Sequence, residues 1–492
     1  MNKWIFNHQV LVIAILCLVS RLPQLLSASL ILDGDECIEG IMAKHFIEGK
    51  EIPYLFYGQA YGFSFIEVVI IGIYYTIAGI SDIAIKLAML SLWTVGIIFF
   101  YKTAKQLSPH GKWSLFLITL VFIFSPAWVI WSMKARGGYL TSFALSSILT
   151  YLIFNERLNK YLIVSILSGF LTVLIYQSQP LWLAGLIPLL GYYLYKIKVK
   201  HSLFYISGIL TAAILFYFLK VNISNFWSPL VLSFSNINMN TLFAVPLHVY
   251  QNITGSYYYN DIITPALIIK FWAFTFTLLI FLTLGFGFFS LFKIEKFNPF
   301  FHLFCLSVLF TVGYLVVMNG ESPRYLLPLS GFALLMFYML VVNVKNRVIP
   351  NTILLLFIIS GIVTTFNFGY DKYEKSVKSE LLHLTETLES QNIRYIYCEN
   401  GLLQWEIMFY SKEKIIARYR TALDRYPEYI QKTDDALNNA PSTVALVGIF
   451  YPEIIHLIPG VIVVDERYFI CKNPGKNTLT EHGFELKSIS TR

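Results

Sequence analysis

The sequence predicts a polytopic α-helical membrane protein with a small α/β domain after its last span, and three observations carry that prediction. The 492 residues are 56% hydrophobic and 17% aromatic, with a mean hydropathy of +0.62, outside the range of ordinary soluble domains. Apolar runs of roughly 20 residues, the length that crosses a bilayer, recur as far as residue 366. From Asp371 onward the pattern changes to amphipathic helices alternating with short apolar strands.

The apolar runs lie near 9–30, 82–101, 113–131, 138–154, 161–176, 180–195, 202–220, 264–292, 299–318, 325–344 and 348–366, about eleven in all. The start, Met1-Asn2-Lys3-Trp4 before Val10 to Val19, has the outline of a signal peptide. No small-residue cleavage site leads into a soluble domain there, so it reads as a retained first helix. The stretch 62–79 is apolar too, but it contains Glu67 and runs straight into Ser81-Asp82 with no basic loop.

Lysines decide how that stretch is read. Lys102, Lys105 and Lys112 share one loop, and Arg157 with Lys160, Lys196 to Lys200, Lys293 with Lys296, and Lys345 with Arg347 fall in later alternate loops. The positive-inside rule places all of them in the cytoplasm with Lys3 if 62–79 is a re-entrant or membrane-parallel helix that does not cross. The N-terminus is then cytoplasmic, and 31–61, 132–137, 177–179, 221–263, 319–324 and everything after 367 are extracytoplasmic. This bookkeeping also absorbs the net charge of +8, which therefore indicates topology and no nucleic-acid partner.

Two domains follow: a transmembrane domain over 1–368, which includes the first outer loop 31–61, and a soluble α/β domain over 369–492. In the second, helices are expected near 374–390, 402–411 and 427–439, and strands near 394–398, 414–418, 443–449 and as a last pair within 461–471. No Gly-rich phosphate loop accompanies them, so no nucleotide is expected. Cysteines stand at 17, 37, 305, 398 and 471 without metal-ligand spacing. Cys398 and Cys471 each end a strand, leaving a disulfide or separate burial both open. The outer stretch 221–263 has no Lys or Arg. It reads as an ordered loop whose Tyr257-Tyr258-Tyr259 lies in the interfacial belt, with sugar stacking as the alternative, and it carries sequons at Asn222 and Asn252.

The candidate site begins in the first outer loop. Asp33, Asp35 and Glu36 crowd together in a chain only 13% charged, ahead of a short amphipathic helix with Ile38, Ile41, Met42 and Phe46 on one side and Glu39, Lys44 and Glu48 on the other. Capping accounts for one aspartate. The mutual repulsion of three carboxylates calls for a cation or a donor-rich ligand in addition. Basic residues on the same side cannot serve topology: Arg21, the run Lys134-Ala135-Arg136-Gly137-Gly138-Tyr139, and Glu321-Ser322-Pro323-Arg324-Tyr325-Leu326-Leu327-Pro328. They need anions, which are lipid headgroups, the acidic loop or a phosphate; for Arg136 and Arg324 phosphate is favoured.

In their order and sidedness, Asp35-Glu36 after the first span and Arg324-Tyr325-Leu326-Leu327-Pro328 late in the chain resemble the motifs of the GT-C superfamily of lipid-dependent glycosyltransferases. The nearest branch is that of protein O-mannosyltransferases and lipid A aminoarabinose transferases. Where those enzymes carry a His-Pro-Pro-Leu-like element, this chain has Tyr57-Gly58-Gln59 and Ser64-Phe65-Ile66-Glu67. The resemblance implies an inverting hexosyl or pentosyl transferase in a bacterial-type plasma membrane. It would move a sugar from a polyprenyl-phosphate donor to a hydroxyl acceptor, a glycan, lipid or protein, outside the cytoplasm. Asp35 is then the catalytic base, with Glu36 beside it, and Arg136, Arg324, Lys134 and Tyr325 hold the donor phosphate. Asp33, Gln59, Tyr61 and Glu67 are possible sugar or acceptor contacts. No cofactor is required, although Asp33-Gly34-Asp35 has the spacing of a divalent-metal pair. A carrier or flippase of lipid-linked sugars and a non-catalytic lipid-binding protein are the rival readings. A transporter predicts inverted repeats and mid-helix charges, and neither is visible here.

Overall fold

The computed structural model describes residues 8–59, 62–108, 111–219, 234–254, 266–292, 298–318, 322–367, 375–421, 425–452 and 460–486. Each apolar run falls on a helix or on a broken pair of helices. Among the described residues six helices are long and apolar enough to cross a membrane: Asp82–Leu107, Val199–Phe218, Leu267–Ser290, Pro299–Val317, Pro323–Asn343 and Val348–Phe366. Shorter apolar helices, such as Tyr139–Phe154 and Leu162–Ser178, fill the places between them. Large apolar side chains including Leu203, Phe271, Leu282 and Ile349 are exposed, as lipid-facing residues of a polytopic bundle are. Phe65–Ala78 has 14 residues, about 21 Å of helix, against a hydrocarbon core of about 30 Å.

The chain forms two compact units. The first comprises Met1–Leu25, Ala60–Glu67 and Lys86–Gly369 and holds most of the apolar helices. Helices Leu162–Ser178 and Val199–Phe218 pack backbone to backbone: a Cβ on Gly169 would come within 2.0 Å of the Tyr205 carbonyl oxygen, and one on Gly208 within 2.0 Å of that of Ile166. Small residues allow this approach, and an apolar medium rewards it. The third apolar run is split at Ser125-Pro126 into Lys112–Ile123 and Pro126–Trp131, because proline is tolerated at the start of a helix and breaks its interior.

That break is where Arg21 acts. Its guanidinium is fully buried, and it donates to the carbonyls of Ile123 (2.9 Å) and Trp128 (3.1 Å) and to the Ser132 hydroxyl (2.7 Å), with the Trp93 ring 4.8 Å away. Arg21 thus meets backbone carbonyls and hydroxyls, and the Ile123 carbonyl is one that the helix break leaves without an intrahelical donor.

The second unit comprises Leu26–Gln59, Val68–Ile85 and Tyr370–Arg492, so most of the first outer loop belongs with the C-terminal domain. Its sheet has the order β2-β1-β3-β5-β4, with β1 Tyr395–Cys398, β2 Ile416–Arg418, β3 Val444–Ile449, β4 Val461–Val464 and β5 Tyr468–Lys472. The first three are parallel and the last two add an antiparallel hairpin. Helices Lys375–Ser390, Leu403–Tyr410 and Pro427–Asn439 lie close to their expected positions. Cys398 pairs with Val447 and Cys471 with Leu446 on opposite sides of β3, roughly 10 Å apart at the interstrand spacing, too far for a disulfide; both side chains are buried. The expected two-sided helix, Gly34–Ile47, is instead covered on most sides, with Glu39 fully buried.

Two polar clusters tie this unit together. Arg418, fully buried, grips Asp434 through both carboxylate oxygens, and Tyr397 donates to the same group at 2.7 Å. Glu413 accepts from Lys44, from the Tyr429 hydroxyl (2.5 Å) and from His45 Nε2 (2.9 Å), while His45 Nδ1 meets the Tyr57 hydroxyl at 2.9 Å. Burial alone would raise the Glu413 carboxyl, but hydrogen bonding and charge from His45, then Lys44 and Tyr429, hold it well below the usual carboxylate range.

In the outer stretch, 220–233 and 255–265, including Tyr257 to Tyr259 and Asn222, lie outside the described residues. Between them a helix, Met239–Thr254, stands where a loop was expected. Asn252 is buried and donates to the Pro323 carbonyl at 2.8 Å, so its sequon is not an open glycan acceptor.

Two outcomes follow. Arg21→Met leaves the Ile123 carbonyl without its donor and strips one donor from the Trp128 carbonyl in an apolar interior, and should cost on the order of 3 kcal/mol. A detergent-solubilised melt indistinguishable from wild type would refute that role. The second concerns acid. A carboxyl whose folded pKa lies below its unfolded value of 4.5 contributes stability that is present above pH 4.5 and lost as pH falls below it. Glu413→Gln should therefore melt lower than wild type at pH 7, and the gap should narrow by pH 3; a gap that stays constant would show that Glu413 does not titrate with folding.

Candidate functional site

Each unit brings together part of the expected set. In the second, helix Gly34–Ile47 opens with a reciprocal cap: Asp33 Oδ1 accepts from the Glu36 amide (3.0 Å) and Glu36 Oε2 accepts from the Asp33 amide (3.2 Å). Capping thus engages two of the three crowded carboxylates. The Leu402 backbone runs against Gly34 so closely that a Cβ there would fall 2.7 Å from the Leu402 oxygen, which is why this turn carries glycine. Glu406 also lies beside the cap. Burial, then the Asp33 charge, push its carboxyl up to about 7, opposed by Arg467 and by a hydrogen bond from the Gly34 backbone.

Asp35, in the first turn, lies outside this capping exchange. Its Oδ1 is 3.7 Å from Arg425 Nη1, and the Arg425 guanidinium lies 5.3 Å from the centre of the Phe56 ring. Gln59 closes the turn that begins at Phe56 and is half-buried. Tyr61 lies outside the described residues.

Glu406 and Arg425 were not anticipated. For Arg425 a signal existed: Arg418, Arg420 and Arg425 crowd into a short stretch, and each planar cation needs an acceptor. They find Asp434, Glu399 and Asp35 respectively. Glu406 had no comparable mark, because its burial depends on packing from residues 370 positions away.

A divalent ion does not fit the Asp33-Gly34-Asp35 pair as arranged, since Asp33 is committed to the cap and Asp35 faces a guanidinium. Among the described residues His45, Glu48 and Glu413 bring ligand atoms together, within 4.8 Å of one another. There the Lys44 ammonium already bonds Glu413 and lies 3.4 Å from Glu48, filling the place a metal cation would take.

The first unit holds the arginine-bearing turns. Lys134 is buried and Arg136 half-buried, on a loop that enters helix Tyr139–Phe154 through Gly138 at φ +85°. The glycines here serve protein packing: a Cβ on Gly138 would lie 2.9 Å from the Ser178 oxygen, and one on Gly62 would lie 3.0 Å from that of Gly137. The Phe63 amide donates to the Gln177 carbonyl at 2.9 Å, so segments 62–67, 134–141 and 177–178 are laced through their backbones. Glu67 belongs to this lacing, accepting from the Thr141 amide (3.2 Å) and hydroxyl (3.3 Å). Arg324 stands in the 3-10 turn Pro323–Leu326 with its guanidinium 5.5 Å from the Tyr325 ring centre. Asn252 fastens that turn. Segment 177–178 adjoins the Arg136 loop directly.

Neither a protein-family model nor a curated protein matches the sequence. Solved structures do. ArnT from Cupriavidus metallidurans bound to undecaprenyl phosphate matches with TM-score 0.59 at 11% identity, covering 96% of this chain and 99% of that one. ArnT from the same organism in the apo state matches with TM-score 0.52 at 12% identity, over 96% and 98%. Identity this low speaks for fold alone, and it does so from end to end: the chain has the fold seen in ArnT.

Proposed function

We propose that the protein is an integral-membrane glycosyltransferase that takes a sugar from a polyprenyl-phosphate donor and passes it to a hydroxyl acceptor on the extracytoplasmic side. The observation that carries this reading is the full-length match to a fold seen holding undecaprenyl phosphate, in a chain whose own sequence carries Asp35-Glu36 after its first apolar run and Arg324-Tyr325 late in the chain. A transporter remains the rival class, and this match favours the transferase.

In this reading Asp35 accepts the acceptor's hydroxyl proton as that oxygen attacks C1 of the sugar. The new C1–O bond forms as the bond from C1 to the phosphate oxygen breaks, and the electron pair leaves on the polyprenyl phosphate with inversion at C1. Arg136 and Arg324, with Lys134, stabilise the charge gathering on that phosphate, and Tyr325 lies under the Arg324 guanidinium. Glu36 and Asp33 act by fixing the first turn that carries Asp35, and Arg425 sets the carboxylate's direction. No metal is needed, because the leaving phosphate already has cationic partners. Purified protein incubated with a panel of polyprenyl-phosphate sugars should release polyprenyl phosphate from one of them; release from none would refute the transferase reading.

Asp35→Asn separates chemistry from structure. The cap is made by Asp33, so the substitution leaves it intact and should change stability by only about 0.5 kcal/mol. Sugar transfer should disappear while the melt and donor binding stay near wild type, and full activity in this variant would return Asp35 to a structural role.

Arg136→Lys and Arg324→Lys each keep the charge and lose the planar fork. Donor affinity, measured by titration in detergent, should fall about tenfold in each. Unchanged affinity in these and in the alanine variants would reduce both arginines to headgroup anchors.

A further inference from the structure

Glu67 has no solvent exposure, on a helix, Phe65–Ala78, that is otherwise apolar. A buried carboxyl is costly unless donors surround it, and full burial keeps it from touching a sugar. Its donors share one origin. Its Oε1 accepts from both the amide and the hydroxyl of Thr141. Both donors belong to the first turn of helix Tyr139–Phe154.

The first amides of a helix have no intrahelical acceptor, and a side chain at the N-cap position ordinarily supplies one. Here the N-cap is Gly138, which has no side chain, and its left-handed backbone and contact with Ser178 leave no room for one. The acceptor comes instead from another segment of the chain. Negative charge at a helix N-terminus is favoured as well. In the same turn the Tyr139 amide donates to the Arg136 carbonyl at 3.4 Å, so the cap fixes the end of the loop that presents that guanidinium.

We propose that Glu67 is a positioning residue: its carboxyl caps helix Tyr139–Phe154 from outside and so holds the Lys134–Tyr139 loop in the conformation that presents Arg136 to the donor phosphate. The proposal rests on the transferase reading for the ligand, and on the hydrogen bonds alone for the clamp.

Two measurements test it. Undecaprenyl phosphate is titrated into purified wild type, Glu67→Ala, Glu67→Gln, Arg136→Ala and the Glu67→Ala/Arg136→Ala pair. Glu67→Ala should weaken binding about tenfold, Glu67→Gln, which keeps one acceptor oxygen, should weaken it less, and the pair should bind no worse than Arg136→Ala alone. Wild-type affinity in folded Glu67→Ala, or additive losses in the pair, would overturn the proposal. Hydrogen exchange of the 134–141 amides reads the clamp without ligand. Faster exchange in Glu67→Ala supports it, and unchanged exchange overturns it. Should wild type bind no undecaprenyl phosphate, the donor reading falls while the exchange result still decides the clamp. If Glu67→Ala does not fold, Thr141→Val removes one donor of the same clamp and is read in the same way.

Discussion

An apolar medium offers no hydrogen-bond partner, so each polar group among the apolar helices must be satisfied by the chain itself. That constraint explains the arrangement of the first unit. A proline breaks one helix, and Arg21 answers the Ile123 carbonyl that the break releases. A glycine opens another helix without a capping side chain, and Glu67 answers its Thr141 amide. The turn carrying Arg324 exposes a carbonyl, and Asn252 takes it. Each charged or amide group matches a backbone irregularity.

Much of the fold was legible in the sequence, for reasons particular to its elements. Apolar runs of spanning length leave little choice about helices, and the strand runs Tyr395–Cys398 and Val444–Ile449 sit between amphipathic segments whose periods differ plainly from theirs. Helix Met239–Thr254 was hidden by Pro246 and by its Asn and Tyr content, although Val245, Val249 and Ile253 keep a helical spacing on its buried side. The break at Ser125-Pro126 is hidden because hydropathy averages over it.

The candidate site was legible as chemistry but not as partnership. Asp35 and Arg324 stood out because charges are scarce. Arg425 and Glu406 did not, because soluble domains carry many such residues and only tertiary packing sets these two beside the acidic turn. Arg21 shows the reverse error: a cation in an apolar run suggested an anion, when backbone carbonyls meet the same need. Glu36 shows a third kind, since a capping box and an acidic catalytic pair share a sequence pattern.

The second unit is assembled from three separate pieces, Leu26–Gln59, Val68–Ile85 and Tyr370–Arg492. During synthesis its first two pieces emerge some 300 residues before the third. Helix Gly34–Ile47, buried on most sides in the finished protein, must wait with that surface uncovered until helix Leu403–Tyr410, which packs against it, has been made. Closing so long a loop is slow, and an apolar helix left waiting is prone to wrong partners. The acidic turn at its start thus takes its final surroundings among the last events of folding, so the cap and the Asp35–Arg425 pair are set only once the chain is nearly complete.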